Sequence, residues 1–385
     1  MLNTALNGLK VIDFTQVVAG PTCTMALADM GADVIKIEAP SGDLCRDLPP
    51  HVGGESVPFM ALNRDKRSIV LDLKKPESRA YAIELIGNAD VLAESFRPGV
   101  MARLGLGYDA MRAINPRLIY CSVSAYGQNS PDKDLPGVDG VVQAVSGLMS
   151  VTGMPNSPPC KMQVPVVDVM TGYLATISVL GALAQRQKDG HGQWLDISMF
   201  NSAVAMQHLS FATYFHDGQV PRPQGSAAPY STPNEALRCA DGWIMVAAYH
   251  PARWKAFCEV LGIPELASDP RFADAGERLK RRAEVLPLLE EQLVKRNKYE
   301  WLPLLQAADI ICGPINDYRE VVESSAFCAA ELAESLVHPG AGTTTLLRSP
   351  FLAPGQKRRP APRLGEHTEA VLGGLTPADL QRAAA

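Results

Sequence analysis

Short β-branched runs alternate with longer helical patterns over the first half of the chain, from Gly8 to Ser198. Leu9 to Phe14 predicts the first strand, and Pro21 then predicts a helix start, where a missing N–H group costs nothing. Strand-then-helix units in series bury a parallel sheet between layers of helices. The alternation therefore predicts an α/β fold with a large, doubly wound, Rossmann-like parallel-sheet domain.

A stretch rich in Pro, Gly and Ser, from Gly218 to Pro233, interrupts this alternation. Such a composition is typical of loops and of domain junctions. We predict that residues 1–217 form the large domain, that 218–324 form linkers and a smaller α+β domain, and that 325–385 return to the large domain.

The charge balance of the 385-residue chain limits its partners. Lys and Arg together number 36 against 41 Asp and Glu, which gives a formal net charge of -5. Because this chain presents no broad positive field, we expect no nucleic-acid partner, and we interpret the run Lys357–Arg359 as solvated surface. An anionic ligand must then be held by a local cluster of cations.

Motif spacing argues against bound metal and against several common enzyme classes. The eight cysteines include no CxxC pair, and the seven histidines include no pair at i, i+4, so we expect no metal. The chain also lacks GxGxxG after the first strand, GxxxxGK[ST], GxSxG and HExxH. These absences disfavour a nicotinamide dehydrogenase, a nucleoside triphosphatase, a serine hydrolase and a zinc protease.

Targeting signals are missing from the sequence as well. The N-terminal segment has no basic region followed by an apolar stretch, and no later run approaches the roughly 18 apolar residues of a spanning helix. Dispersed cysteines fit reduced thiols. We predict a cytoplasmic, soluble protein with no export signal and no membrane partner.

One carboxylate stands at the start of a predicted helix. In VPVVDVMTG, Asp168 separates a β-branched run from a long helical segment, which predicts an N-cap worth about 1 kcal/mol. The same helix start stabilises an ionised carboxylate, and such a carboxylate at a strand-to-helix junction can be a nucleophile. Residue spacing leaves both interpretations open.

Several further blocks, in order, carry a resemblance to a known family. They are Gly8–Pro21, Gly31–Asp43, Asn63–Lys74, Glu94–Tyr108, Ile114–Gln128, Gly137–Gly153, Val166–Leu183, Gly192–Ser202 and Leu364–Leu372. With these blocks the chain resembles, over nearly its whole length, the family III CoA-transferases, also called the formyl-CoA transferase or carnitine CoA-transferase (CaiB/BaiF) family.

The resemblance implies transfer of CoA between two carboxylic acids, with Asp168 as the nucleophile. Asp168 would form a mixed anhydride with the donor acyl group, then an aspartyl-CoA thioester, which the acceptor acid converts by the reverse steps. Water must be excluded from these intermediates. The resemblance also implies an interlocked, ring-shaped homodimer, acyl-CoA as substrate with no tightly bound cofactor, and a buried linker helix at Ser198 to Phe215.

CoA needs cations for its phosphates and apolar or backbone contacts for its adenine and pantetheine. By position in the family motifs, Lys74 and Arg103 are the expected phosphate partners, and Phe96 is expected to pack against adenine. The full set of CoA contacts implied by the resemblance is Val18, Ala19, Leu71 to Lys74, Ser95, Phe96, Arg97, Arg103 and Asp139.

Two departures bear on the substrate. Formyl-CoA transferases carry glutamine at the place of Val18 and arginine at the place of Ala39, which disfavours formyl-CoA and oxalate. The chain more nearly resembles members that use succinyl-CoA and short dicarboxylates such as glutarate. The segment GSAAPY at 225–230 is the nearest candidate for an active-site lid, and Arg222 is the candidate partner of an acceptor carboxylate.

Two other functions stay open. An α-methylacyl-CoA racemase shares the fold and the aspartate but needs a histidine where this chain has Val138, which cannot accept a proton. An inactive CoA-binding protein would have the same motifs without turnover. Consumption of acyl-CoA only when a second carboxylic acid is present would distinguish the transferase from both.

Overall fold

The computed structural model describes residues 2–352, 355–356 and 358–374, which form two compact units. The first unit contains the residues up to Met149, Lys161–Gln219 and the described residues from Cys328 onward, and the second contains Ser150–Cys160 and Val220–Phe327. The strands are β1 (Lys10–Phe14), β2 (Asp33–Glu38), β3 (His51–Val52), β4 (Glu55–Ser56), β5 (Arg67–Val70), β6 (Val91–Glu94), β7 (Ile119–Ser124), β8 (Trp194–Ser198), β9 (Asn234–Cys239), β10 (Gly242–Ala247), β11 (Ile311–Pro314), β12 (Ala333–His338) and β13 (Gly342–Leu347). The helices are α1 (Ala19–Asp29), α2 (Val57–Leu62), α3 (Pro76–Gly87), α4 (Val100–Arg103), α5 (Tyr108–Ile114), α6 (Asp139–Val145), α7 (Leu148–Val151), α8 (Val166–Asp189), α9 (Met199–Met206), α10 (His208–Asp217), α11 (Pro251–Leu261), α12 (Ala275–Lys280), α13 (Arg282–Leu293), α14 (Lys298–Ala307), α15 (Tyr318–Glu323), α16 (Ser325–Ala329) and α17 (Thr368–Leu372).

A six-stranded parallel sheet organises the first unit, in the order β5-β2-β1-β6-β7-β8. Side chains along β1 alternate between two cores: Val11 packs with residues of α1 and α8, and Ile12 packs on the opposite face with residues of α3 and α5. Helices therefore cover both faces, and the predicted α/β class is confirmed. The strand order reverses beside β1, so the loops after β1 and β6 meet where open α/β sheets bind ligands.

The helix α8 is the longest helix in the described part of the chain and lies in the core of the first unit. Val167, Thr171, Ala175 and Val179 are buried, and the helix packs closely against α1. Its length and apolar composition, with a mean hydropathy of 1.7, would also suit a membrane span, although the sequence analysis predicted no run long enough for one. Burial of one face against α1 and the sheet explains the same composition.

The segment Ser198 to Phe215 forms two helices rather than the single predicted one. The break falls at Gln207, which ends α9 with its N–H bonded to Val204 and its side chain bonded to Ser146 O and Ala203 O. The prediction of one continuous helix is therefore wrong. In the single chain, α10 also buries none of its side chains, and Phe215 is 78% exposed.

The C-terminal part of the first unit contains a hairpin, β12 paired antiparallel with β13, and the short helix α17 beside β5. Two hydrogen bonds join the start of α17 to β5 at the sheet edge, from His367 N to Ser68 O and from Val70 N to Thr368 Oγ1. The predicted return after Gly374 lies outside the described residues.

The basic run near residue 358 is only partly solvated, contrary to the prediction. Arg358 is 7% exposed and lies between Asp29 and Asp65, with an Nη1–Oδ2 distance of 3.0 Å to Asp65. Arg359 is exposed, and Lys357 lies outside the described residues. The sequence could not reveal these acidic partners because they are about 300 residues away.

The second unit has its own core, built on a three-stranded antiparallel sheet in the order β11-β10-β9. Ile244 and Val246 on β10 pack with Trp254 and Phe257 of α11. Arg278 is fully buried and donates hydrogen bonds to the backbone oxygens of Phe272, Thr232 and Tyr249. These bonds connect three loops around the sheet.

Candidate active site

The loop after β1 leads directly into α1 and is strained at one residue. Val17 has a φ of 67°, in the left-handed region that a β-branched side chain rarely adopts. Such a conformation costs on the order of 1–3 kcal/mol and persists only where surrounding contacts impose it. One of these contacts is the hydrogen bond from Gln16 N to Ser95 Oγ, 2.9 Å long, which joins this loop to the one after β6.

Asp168 does not cap its helix, so the N-cap prediction is wrong. The helix α8 begins at Val166 after Pro165, and Asp168 is its third residue. The capping group is instead Asp139, whose Oδ1 accepts the N–H groups of Val167 at 2.9 Å and Asp168 at 3.2 Å. Within the described residues, no group donates a hydrogen bond to the Asp168 carboxylate, which is therefore available to a ligand.

Asp139 is held firmly in this capping position. It is 8% exposed, and its Oδ2 accepts from Gln143 Nε2 at 2.6 Å. Gln143 is itself fixed, because its Oε1 accepts from Met162 N at 2.9 Å. The side chain proposed from the resemblance as a CoA contact thus has both carboxylate oxygens bonded to protein groups.

A glycine allows α8 to approach the start of α1. A Cβ at Gly172 would lie 2.6 Å from Ala19 O and 2.5 Å from Thr22 Cβ, distances too short for any side chain. Gly172 is one turn after Asp168 on the same helix. The close approach therefore brings the Asp168 carboxylate to the N-terminus of α1.

These elements enclose a cavity of about 340 Å³ at the carboxyl end of the sheet. Six of the twelve site residues expected from the resemblance line it, namely Val18, Ala19, Ser95, Phe96, Arg97 and Asp168. The other lining residues are Gln16, Val17, Gly20, Leu44, Val123, Ser124, Ala125, Gly137, Val138 and Met199. Arg97 is the one cation, and no histidine occurs, among the described residues that line this cavity.

Burial raises the pKa of the Asp168 carboxyl to about 7, and the negative charge of Asp139 adds to this effect. Near neutral pH the carboxyl group is therefore divided between its acid and its carboxylate form. A carboxyl group with a pKa near 7 in a cleft is a frequent mark of a functional site.

Six of the expected CoA contacts do not line this cavity, namely Leu71, Asp72, Leu73, Lys74, Arg103 and Asp139. Leu71 is 4% exposed and belongs to the core, while Lys74 and Arg103 are exposed on the first unit. Asp139 lies behind the start of α8, as described above. Lys74 and Arg103 stay predictions as phosphate partners, with side chains free to reach a ligand over the surface.

Glu94 is a buried acid that the sequence analysis did not single out. It is 4% exposed, its Oε2 accepts from Phe96 N at 2.9 Å, and burial raises its pKa to about 7. It also lines a second cavity of about 410 Å³, which shares Arg97 with the first. Its bond to Phe96 N fixes the loop at 95–97, and a sequence offers no signal for such a bond.

The chain matches the family model described as CoA-transferase family III over residues 6–368. It is 36% identical to the succinate–glutarate CoA-transferase of Agrobacterium fabrum over 384 residues, which covers 96% of this chain and 95% of the relative. It is 39% identical to the acetyl-CoA:oxalate CoA-transferase of Acetobacter aceti over 316 residues, with 82% and 81% covered. A solved CaiB/BaiF family protein from Brucella suis superposes with a TM-score of 0.87 at 33% identity, covering 97% of this chain and 100% of that chain.

The chain belongs to CoA-transferase family III, and the resemblance identified from the motifs is confirmed. It is accordingly a transferase, as its relatives are named.

The candidate lid at 225–230 and Arg222 lie in the second unit, where Arg222 is exposed.

Proposed function

We propose that this enzyme transfers CoA from an acyl-CoA donor such as succinyl-CoA to a short dicarboxylic acid, by covalent catalysis at Asp168. The observation that supports this most directly is the unbonded Asp168 carboxylate, which lines the cavity beside five expected CoA contacts. An aspartate with a purely structural role at a helix start would be expected to accept backbone N–H groups there. Here Asp139 supplies the cap, and Asp168 faces the cavity.

The proposed reaction proceeds by exchange of acyl groups at one carboxyl group. A carboxylate oxygen of Asp168 attacks the thioester carbonyl, the C–S bond breaks, and CoA leaves as a thiolate, so a mixed anhydride forms. The thiolate then attacks the aspartyl carbonyl, the donor acid leaves as a carboxylate, and an aspartyl-CoA thioester remains. The acceptor carboxylate reverses the two steps, so no proton transfer or external energy source is needed.

The start of α1 provides groups suited to the oxyanions of these steps. The N–H groups of Ala19 and Gly20 belong to the first helical turn and have no acceptor within the helix, and both residues line the cavity. Preorganised backbone donors of this kind stabilise negative charge that develops on a carbonyl oxygen. The positive end of the helix dipole acts in the same direction.

The proposed substrates follow from the relatives and from the departures at Val18 and Ala39. The succinate–glutarate enzyme aligns over nearly the full length of this chain, which supports short dicarboxylates. The acetyl-CoA:oxalate enzyme is similar as well, so acetyl-CoA and oxalate belong in any substrate screen. We further propose Lys74, Arg103 and Arg97 as phosphate partners of CoA, an interlocked homodimer, and a cytoplasmic location.

The racemase alternative gains no support at this cavity. A two-base proton transfer needs a second base opposite Asp168, and Val138 occupies the place of the histidine. An inactive CoA-binding protein would not need an Asp168 carboxyl group with a raised pKa and no hydrogen-bond donor among the described residues. The experiment below decides among these alternatives.

Incubation with succinyl-CoA and hydroxylamine, followed by peptide mass spectrometry, tests the proposal directly. We expect a hydroxamate on the peptide that contains Asp168, and release of free CoA. Without hydroxylamine, succinyl-CoA should be consumed only when glutarate or another carboxylic acid is added. Intact succinyl-CoA, acetyl-CoA and 2-methyl-branched acyl-CoA after incubation with such acids would contradict a transferase function.

The pH dependence of this trapping reaction is a further prediction. Because only the ionised Asp168 attacks, the rate should rise about tenfold from pH 6 to pH 8, with an apparent pKa of about 7. Asp139→Asn removes the neighbouring negative charge and keeps an oxygen that can cap α8, so the rise should move to lower pH.

Stopped reactions at each pH, with hydroxamate quantified by mass spectrometry, measure this profile. Asp134→Asn, at an exposed position in the preceding loop, serves as the matched control and should leave the profile in place. Identical profiles for the wild type and Asp139→Asn would show that the charge of Asp139 does not contribute to the raised pKa of Asp168, which would then come from burial alone.

A further inference from the structure

The strained loop at the proposed active site is held from behind by buried polar groups that do not line the cavity. The N–H of Val17 donates to Asp43 Oδ1 at 3.0 Å, and Lys36 Nζ donates to Thr15 O at 2.6 Å. Both contacts fix the backbone that leads into Val17, the residue whose φ is 67°. Buried groups thus hold the chain at the point where the left-handed conformation begins.

Both carboxylate oxygens of Asp43 contact protein groups. Its Oδ1 also accepts from Cys45 N at 2.8 Å, and its Oδ2 lies 2.8 Å from Lys36 Nζ. The side chains of Asp43 and Lys36 are both 0% exposed. A buried ion pair of this kind is a weak source of stability, because desolvation offsets the attraction between the charges.

We propose that Asp43 is a positioning residue for the reaction at Asp168, acting through its hydrogen bond to the N–H of Val17. The bond holds Val17 in the left-handed conformation, and the following residues then start α1 with Ala19 and Gly20 at the cavity. Lys36 pairs with Asp43 Oδ2 at 2.8 Å and orients the carboxylate. The inference rests on the proposed function, since it assigns Asp43 a role in that same site.

The geometry favours this role over a purely structural one. An ion pair that served the fold alone would not need an acceptor aimed at the one strained amide of the active-site loop. Valine disfavours the left-handed conformation, so the loop would relax to a negative φ without the Asp43 acceptor. The relaxed loop would move Val18 and Ala19 away from the geometry in which they line the cavity.

A matched pair of variants separates the acceptor from the ion pair. Lys36→Met combined with Asp43→Asn removes both charges and keeps an oxygen for the Val17 N–H. Lys36→Met combined with Asp43→Leu removes the charges and the acceptor, with a side chain of similar shape. Both variants lose the ion pair and the bond to Thr15 O, so a role of the ion pair alone predicts equal activity. The leucine variant also leaves Cys45 N without its acceptor, a loss that glycine at position 17 would not repair.

We expect single-turnover hydroxamate formation from succinyl-CoA to be at least about tenfold slower in the leucine variant than in the asparagine variant, because small misplacements of catalytic groups are costly. Adding Val17→Gly to the leucine variant should recover at least about fivefold of this rate, since glycine adopts a positive φ without strain. A loss of stability elsewhere would not be rescued by glycine at position 17. Equal rates in the pair, or no recovery with Val17→Gly, would overturn the proposal.

Amide hydrogen exchange of the segment 15–19 in the same variants provides a readout that does not depend on activity. We expect faster exchange in the leucine variant than in the asparagine variant, and equal exchange in the two would overturn the positioning role. If the wild type itself forms no hydroxamate with any donor, the proposed function fails. The exchange comparison then still decides whether Asp43 holds the loop.

Discussion

Asp168→Asn is expected to abolish CoA transfer, with kcat lowered on the order of 10⁴-fold or more, as for other enzymes that lose their nucleophile. The amide of asparagine has nearly the shape of the carboxylate but cannot attack a thioester or form an anhydride. Because no described group donates a hydrogen bond to the Asp168 carboxylate, the substitution breaks no bond within the protein. The variant should therefore fold and retain affinity for CoA.

Steady-state kinetics with the preferred donor and acceptor, together with CoA titration by calorimetry, measure both expectations. Asp189→Asn is a matched control, since Asp189 is an exposed aspartate at the opposite end of the same helix. It should keep full activity. Normal turnover by the Asp168→Asn variant would exclude the covalent mechanism, whatever substrates the enzyme uses.

Asp13→Ala is expected to destabilise the first unit by about 3–5 kcal/mol, the effect of breaking a buried ion pair from one side. Asp13 is 0% exposed and accepts from Thr15 N at 2.8 Å, Thr24 Oγ1 at 2.7 Å and Lys66 Nζ at 3.0 Å. Burial by itself would raise its pKa, but Lys66, Lys36 and the threonine hydroxyls together lower it to about 2. Alanine would leave Lys66 buried without its carboxylate partner.

Urea unfolding followed by tryptophan fluorescence and circular dichroism gives the change in the free energy of unfolding. Glu277→Gln removes one partner of an exposed ion pair with Lys280 and is the control, with an unfolding midpoint expected close to that of the wild type. The double variant Asp13→Leu with Lys66→Met should recover much of the loss, because neither charge remains buried. An Asp13→Ala variant as stable as the wild type would show that this network contributes little to the fold.

The sheet was predictable because its signals are local. A β-branched run such as that of β1 is a pattern of neighbouring residues, and Pro21 predicted the start of α1 to within two residues of its observed first residue, Ala19. Helix ends set by distant contacts were not predictable in the same way. Gln207, whose side chain bonds to Ser146 O, divides the predicted helix at 198–215 into α9 and α10.

The candidate site was predictable in part, through family motifs rather than through spacing. The motifs selected Val18, Ala19, Ser95, Phe96 and Arg97, which line one cavity with Asp168. Motifs could not reveal what each side chain contacts. Asp43 and Glu94 lie within matched blocks, yet their bonds to Val17 N and Phe96 N emerge only from the folded chain.

The strand and helix pattern, the family and one candidate nucleophile were predictable from the order of neighbouring residues, because their signals are local. Only the folded chain shows which groups surround that aspartate. The cap of α8 comes from Asp139, 29 residues before Asp168, and burial beside that charge sets the pKa of Asp168 near 7. Hydrogen bonds and desolvation depend on groups that only folding brings together, so no local pattern could have shown that this carboxylate is free to react.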